Sequence, residues 1–361
     1  MINQTIRNIR DRLDAWLWHR ERLGIDMDSR FTRIVRLAKL SSGELSLAAY
    51  GELDIDVLRA NEAEKQRFKI AVKQIGDGLQ RIAINVEHPS LRIRRMNFAK
   101  MPENDLIEAI RWNFREHIEG PMEKYVVGHT PLKGEEDDEE RMSIVAYGLS
   151  SEAVDDYTKL VKSLGLRPTS LEPSATALLA SLNANGILAD GRRHVCVVFG
   201  DKATLFSVMQ GNVLLFCRPL PGVHNEALAR LIMRNLNIDA EKAHKAIDEW
   251  MGKGVAEEQR DDELMKRLDT TTGHFFSQLV IEMQRSIDAF CIMYAVEHVD
   301  EIHLCGMGVL YPGMVEHIRR TLGVETRIFN PFEKLMEPSR LTEEVNKVAP
   351  LYAIAVGLAI P

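Results

Sequence analysis

The chain has no CxxC pair, no long apolar run and no excess of positive charge. The four cysteines (Cys196, Cys217, Cys291, Cys305) each sit in an apolar strand or helix pattern. That argues against a disulfide framework and for buried free thiols in a reducing compartment. The longest apolar stretch, near Ala349 to Pro361, is too short to cross a bilayer. Arg7, Arg10, Asp11, Arg12 and Asp14 interrupt any apolar segment that could serve as a signal peptide. A net charge of −7 argues against a general nucleic-acid binder. GxSxG, HExxH and Walker motifs are missing too. The eleven histidines are scattered, and His88, His117 and His129 lack ligand spacing, so no metal and no catalytic residue is expected. A cytoplasmic location is expected.

What is present is a soluble globular composition, 361 residues with 45% hydrophobic and 27% charged, long enough for two or more domains. Residues 1–22 read as an amphipathic helix with Ile2, Ile6, Ile9, Leu13, Trp16 and Leu17 on one face. That face suits contact with protein, its own fold or a partner, better than lipid, because Asp11, Asp14 and Glu21 offset the arginines. Three strands follow as a meander, opening with "GIDMDSRFTRIVRL", Gly24 to Leu37. Residues 57–166 carry their own α/β pattern and read as an insert. Within it, "LQRIAINVEH" and "LRIRRMNF" read as strands joined by a Pro-Ser turn, and "GEEDDEE" as a solvated hairpin tip. The meander pattern then returns in "RHVCVVFG", "KATLFSVMQ" and "NVLLFCRPL". Helices are expected at 224–236, 239–251 and 274–298. Small residues at 173–182 and 349–360 (Ala175, Ala177, Ala180, Ala353, Ala355, Gly357) suit a close helix crossing between two halves.

Two meander-started halves with an insert in the first resemble the actin-like ATPase plan. "LGIDMDSRFTRIVRL" resembles a first phosphate loop and "VVFGDKATLFSVMQGNVLLFCRPLP" a second. "LEPSATALLASL" is similar to the first connecting helix, "EMQRSIDAF" to the helix beside the adenine, and "LCGMGVLYPGMVEHIRRTLGVETRIFNPFEKL" to the adenosine motif. "PENDLIEAIRWNFREHIEGPMEKYVV" resembles the helix of the inserted subdomain, and "APLYAIAVGLAI" the closing helix. The chain is thereby identified as a member of the PilM-type branch, actin-like components of type IV pilus assembly, with the cell-division protein FtsA more distant. The resemblance, which starts after the helix expected over 1–22, implies an α/β fold: a first subdomain from 23–56, 167–190 and 345–361, an insert over 57–166, and a second domain over 191–344.

By the same resemblance, Asp26, Ser29, Glu172, Gly200, Thr204, Glu282, Arg285, Ser286, Gly306 and Gly308 fall at nucleotide-binding positions. Several family residues are altered. Asp28 replaces a glycine, Arg30 and Phe31 replace small residues, Val198 stands for a carboxylate and Met307 for a glycine. Asp201 comes one position late and is expected to face away. Asp26 and Asp28 share a strand face, so both would meet a triphosphate. A like-charge pair at ~4 Å is worth ~4 kcal/mol at an effective dielectric of 20, against ~1.5–3 kcal/mol for a charge-assisted hydrogen bond. The expectation is therefore a degenerate site with no cofactor, ATP and Mg²⁺ being the alternative. The implied partner is the N-terminal cytoplasmic peptide of a PilN-like membrane protein, with pilus motor or platform proteins beyond it and self-association left open. An active actin-like ATPase, or the actin-like component of a type II secretion or division complex, remains the competing function.

Overall fold

A computed structural model of the chain describes residues 21–131, 140–251 and 262–360. The expected helix over 1–22, with Ile6, Ile9, Leu13, Trp16 and Leu17, lies outside them, except that Glu21 and Arg22 begin a strand rather than end a helix. The expected acidic tip falls outside as well, apart from Glu140.

The first meander comprises β1 (Glu21–Met27), β2 (Thr32–Lys39) and β3 (Leu45–Leu53), paired antiparallel. Helix α1 (Glu62–Gly76) starts at a reciprocal cap: Asn61 accepts from the Glu64 N–H, and Glu64 accepts from the Asn61 N–H. It packs on β2 and β3. Strand β4 (Arg81–Val86) then lies parallel to β1. After it come β5 (Arg92–Ala99), α2 (Glu103–Phe114), β6 (Tyr125–Pro131), β7 (Arg141–Ser150) and α3 (Ser151–Ser163). Strand β8 (Arg167–Pro173) returns parallel to β4 and runs into α4 (Ser174–Ala184). The first sheet therefore has the order β3-β2-β1-β4-β8, while β5-β7-β6 form a sheet of their own.

This corrects the expected hairpin across Pro89 and Ser90: β4 and β5 belong to different sheets. In β4, Ile82 to Val86 are all buried, the run of a central parallel strand rather than the alternation of a half-exposed hairpin arm. Of the expected insert 57–166, α1 and β4 lie in or on the first sheet, and Tyr157 and Val161 of α3 join the first lobe's core. The segment with a separate core, built on Leu106, Ile110, Phe114 and Ile144, is thus confined to β5 through β7.

The second lobe repeats the plan with β9 (His194–Phe199), β10 (Thr204–Gln210), β11 (Val213–Leu220), β12 (Glu301–Gly306) and β13 (Thr326–Ile328), ordered β11-β10-β9-β12-β13. Between β11 and β12 run α5 (Asn225–Leu236), α6 (Ala240–Trp250) and α7 (Asp262–Tyr294). Helix α7 starts earlier and ends sooner than the expected 274–298. Helix α8 (Met314–Leu322) precedes β13, and α9 (Glu343–Val348) leads through a 3-10 turn to α10 (Ala353–Ala359).

Helix α10 packs on β1, β2 and β4 and crosses α4, which also touches β10 and β11 of the second lobe. The small residues have a steric purpose here. A Cβ on Gly357 would overlap the Ala177 carbonyl, and one on Gly24 would overlap the Ala355 carbonyl. Three backbones thus meet with no side chain between them. Gly357→Ala is expected to lower stability by ~3 kcal/mol, the upper end of the usual overpacking penalty. The midpoint of urea unfolding reads this, and a change below ~0.5 kcal/mol would mean the crossing is loose.

Candidate functional site

The two lobes face each other across a cleft floored by the turns of the β1–β2 and β9–β10 hairpins. A phosphate cradle needs backbone N–H groups that point at the ligand and have no other partner. Here they have partners. The Asp28 N–H donates to the Phe31 carbonyl at 3.0 Å, and the Gly200 N–H to the Ala203 carbonyl at 3.2 Å. The Ser29 N–H donates to Asp28 Oδ1 at 2.7 Å. The Asp201 N–H crosses the cleft to Asp28 Oδ2 at 3.3 Å. The Asp28 carboxylate therefore sits on amides of both hairpins, as an anion would. The first turn of α5 is tied to the second hairpin: the Asn225 and Glu226 N–H groups donate to the Gly200 and Asp201 carbonyls.

Asp201 does not face away, contrary to expectation. It is buried, and its Oδ1 accepts from Asn225 Nδ2 at 2.8 Å. Asn225 Oδ1 in turn accepts from the Tyr311 hydroxyl at 2.7 Å. Asp201 Oδ2 and Arg33 Nη2 are buried without a hydrogen-bond partner among the described residues. Asp26 is buried too, and its Oδ1 accepts from Asn85 Nδ2 at 2.7 Å. Asn85 Oδ1 accepts from the Met27 N–H at 2.7 Å, and Ser174 donates to Glu87 Oε1 at 3.1 Å. Asn85 and Glu87 were not legible as site residues. They arrive only because β4 lies next to β1.

Asp26, Asp28, Glu87 and Gly200 line a cavity of about 20 Å³ between the hairpins, about one water in size. A larger cavity of about 340 Å³ opens beside it, with Ser29, Asp54, Asp56, Glu64, Asp201, Glu226 and Tyr311 in its walls. Arg30 spans its mouth, reaching Asp248 at 3.4 Å, His244 at 3.3 Å and Asp54 at 3.8 Å.

The structure brings Asp26, Ser29, Gly200 and Gly306 to these cavities and leaves Thr204, Glu172, Glu282, Arg285, Ser286 and Gly308 out of both. The fully buried Thr204 hydroxyl donates to the Val223 carbonyl. Glu282 is buried and accepts from Arg285 at 2.7 Å and Gln278 at 3.2 Å, while Ser286 donates to the Glu282 carbonyl at 2.7 Å. Gly306 and Gly308 make room for Phe199: a Cβ on the first would strike its backbone, and one on the second its ring. Glu172 on β8 neighbours Ser170 of the same strand and Arg22 of β1.

A second concavity, about 360 Å³, runs along the β8 edge, lined by Thr158 and Lys162 of α3 and by residues 166–171. Strand β8 ends the first sheet, so its outer side pairs with no strand of the described residues.

Burial, only partly offset by Arg33, pushes the Asp26 carboxyl up to about 7, and Asp28 and Asp201 add to the rise. Burial, Asp201 and Glu87 push Asp28 up as well. A folded-state pKa above the unfolded value near 4 means the native chain holds more protons across that interval. The contribution to stability is complete below about 4 and is lost as pH rises through about 7. Asp28→Asn removes one of these charges. Its stability relative to wild type should rise by ~1 kcal/mol or more between pH 5 and pH 8, read by urea unfolding at both. A difference that stays flat or shrinks would remove the acid cluster as the cause.

The family model for type IV pilus assembly protein PilM matches residues 24–361. A sequence comparison with curated proteins gives no match. Among solved structures, a PilM–PilN type IV pilus biogenesis complex is similar with a TM-score of 0.79 and 21% identity, over 94% of this chain and 97% of the other. The ethanolamine utilization protein EutJ from Carboxydothermus hydrogenoformans is similar with a TM-score of 0.52 and 13% identity, over 94% and 89%. The fold they share with this chain is the actin-like ATPase fold. With the family model covering all but the first residues, the chain belongs to the PilM family of type IV pilus assembly proteins.

Proposed function

We propose that this chain is a scaffold of type IV pilus assembly whose nucleotide cleft is closed by its own side chains, and that it holds an extended peptide of a PilN-like membrane partner. The Asp28 carboxylate carries the first half of this reading. It takes the amide donors of both hairpins, Ser29 and Asp201, that a phosphate would need. The surrounding charge acts in the same direction, since a polyanion would meet Asp26, Asp28, Glu87 and Asp201 with Arg33 as the buried cation beside them.

The groove along β8 supports the second half. An extended peptide can add to an open strand edge through main-chain hydrogen bonds and place alternate side chains in pockets. Leu166, Pro168 and Leu171 supply apolar wall, and Lys162 and Arg167 supply positive charge. The similar solved complex contains PilN. Among the described residues no helix is long and apolar enough to cross a membrane, so a place beneath the inner membrane would come through such a partner. Links to pilus motor or platform proteins would follow from that position.

Two measurements test the halves separately. Purified protein with millimolar Mg–ATP should show no thermal stabilisation, whereas ligand at ~100 times its Kd would add ~2.7 kcal/mol and overturn the closed cleft. Asp28→Gly should restore measurable ATP binding by freeing the Ser29 and Asp201 amides. For the groove, Thr158→Trp fills the channel from a half-exposed position. It should weaken binding of a PilN-type N-terminal peptide at least ~10-fold, a loss of ~1.4 kcal/mol, with the fold intact. Unchanged affinity would place the peptide elsewhere.

A further inference from the structure

At the far end of the second sheet, three donor side chains converge. His194 opens β9 and pairs with Glu301 at the start of β12, and His303 follows two residues later on the same strand face. All three are almost fully buried. One donor atom from each lies within 4.8 Å of the others. Strand β9 runs its full length from here to the Gly200 hairpin, roughly 17–20 Å at the usual rise, so this cluster is separate from the cleft.

We propose that His194, Glu301 and His303 form a binding site for a divalent transition-metal ion, best suited to Zn²⁺, with water as the fourth ligand. The hydrogen bonds define the tautomers. His194 Nε2 lies 2.9 Å from Asp190 Oδ1, and Asp190 is ion-paired with Arg192 through its other oxygen. Nε2 therefore carries the proton, and Nδ1 presents a lone pair. That lone pair faces His303 Nε2 at 3.0 Å. An outer carboxylate fixing the ring of a ligating histidine is the usual second layer of a zinc site. Two zinc ligands at ~2.0–2.1 Å in a tetrahedron stand ~3.3 Å apart, so the two nitrogens need to part by only a few tenths of an ångström. The Glu301 Oε1 atom is 3.9 Å from His303 Nε2, so it would move in by roughly half an ångström to reach that spacing. The His303 ring contributes Nε2, the atom that faces both His194 Nδ1 and Glu301 Oε1. On metal binding its proton moves from Nε2 to Nδ1, and none is lost from the ring.

Two arginines share Glu301, and they differ. Arg192 Nη2 binds Oε2 at 2.7 Å, the oxygen turned from the histidines. Arg327 Nε binds Oε1 at 2.9 Å and so competes with a metal for the ligating oxygen. Its side chain is 63% exposed and has a second partner in Glu325 at 3.4 Å. It can therefore release Oε1 toward solvent and open a short entry path. Imidazole and carboxylate donors favour Zn²⁺, Ni²⁺ or Cu²⁺ over Mg²⁺ and Ca²⁺, which prefer all-oxygen shells.

The test uses the full chain stripped with EDTA, then titrated with ZnCl₂ by calorimetry and followed by thermal melting. One Zn²⁺ per chain and a raised melting temperature are expected, with MgCl₂ and CaCl₂ giving neither. His303→Gln should weaken Zn²⁺ binding at least ~10-fold. Arg327→Ala, an exposed change that leaves the buried ligands in place, should tighten it at least ~3-fold. Absence of stoichiometric Zn²⁺ binding overturns the site. So does binding that Arg327→Ala leaves unchanged, or binding that survives His303→Gln.

Discussion

One carboxylate sets the character of the cleft. Asp28 is the point at which the two hairpins meet: Ser29 donates to one of its oxygens and Asp201, from the other lobe, to the second. The consequences spread outward. With Asp28 on the floor, Asp26 rests on Asn85, with Arg33 the charge that favours its ionised form. Asp201 is drawn inward and held by Asn225, which is held in turn by Tyr311, whose ring packs against Phe199 and Trp250. Phe199 occupies the space that Gly306 and Gly308 leave. A substitution that looks like the loss of a glycine in one loop is therefore accommodated by residues on β4, β9, α5 and the segment after β12.

Much of the frame was legible because it rests on local periodicity. The two meanders alternate or run apolar between short turns, three of which carry glycine (Gly43, Gly200, Gly211), and α2 and α3 carry the boundary signals their sequences show, Pro102 and Ser150. The small residues of α4 and α10 foretold a close crossing, which Gly357 and Ala177 make. What could not be read was non-local. Strand β4 looked like half of a hairpin because a Pro-Ser turn follows it, yet its buried run belongs between β1 and β8. Asn85 and Glu87 were hidden with it. Asp201 depended on the tilt of a turn against another lobe. His194 and His303 stand 109 residues apart, so no spacing rule could join them.

The two lobes also hold their clefts and outer ends to different standards of polarity. Near the hairpins, like charges are gathered and pushed toward their neutral forms. At the opposite end of the second sheet, opposite charges alternate: Asp190, Arg192, Glu301 and Arg327 form a linked series around two histidines. The first arrangement stores electrostatic tension that protons relieve, and the second is close to neutral overall.

The contact of Gly357 with Ala177 has a mechanical meaning. Two helices held apart by side chains can slide, because rotamers give way. Two helices touching through their main chains cannot, since neither has anything soft between them. Such a contact still permits turning about the point of touch. Helix α4 reaches from the first sheet to the second, and α10 lies against β1. Relative movement of the lobes that keeps this contact turns about it, and a pull applied at the β8 groove would reach the second lobe partly as a torque.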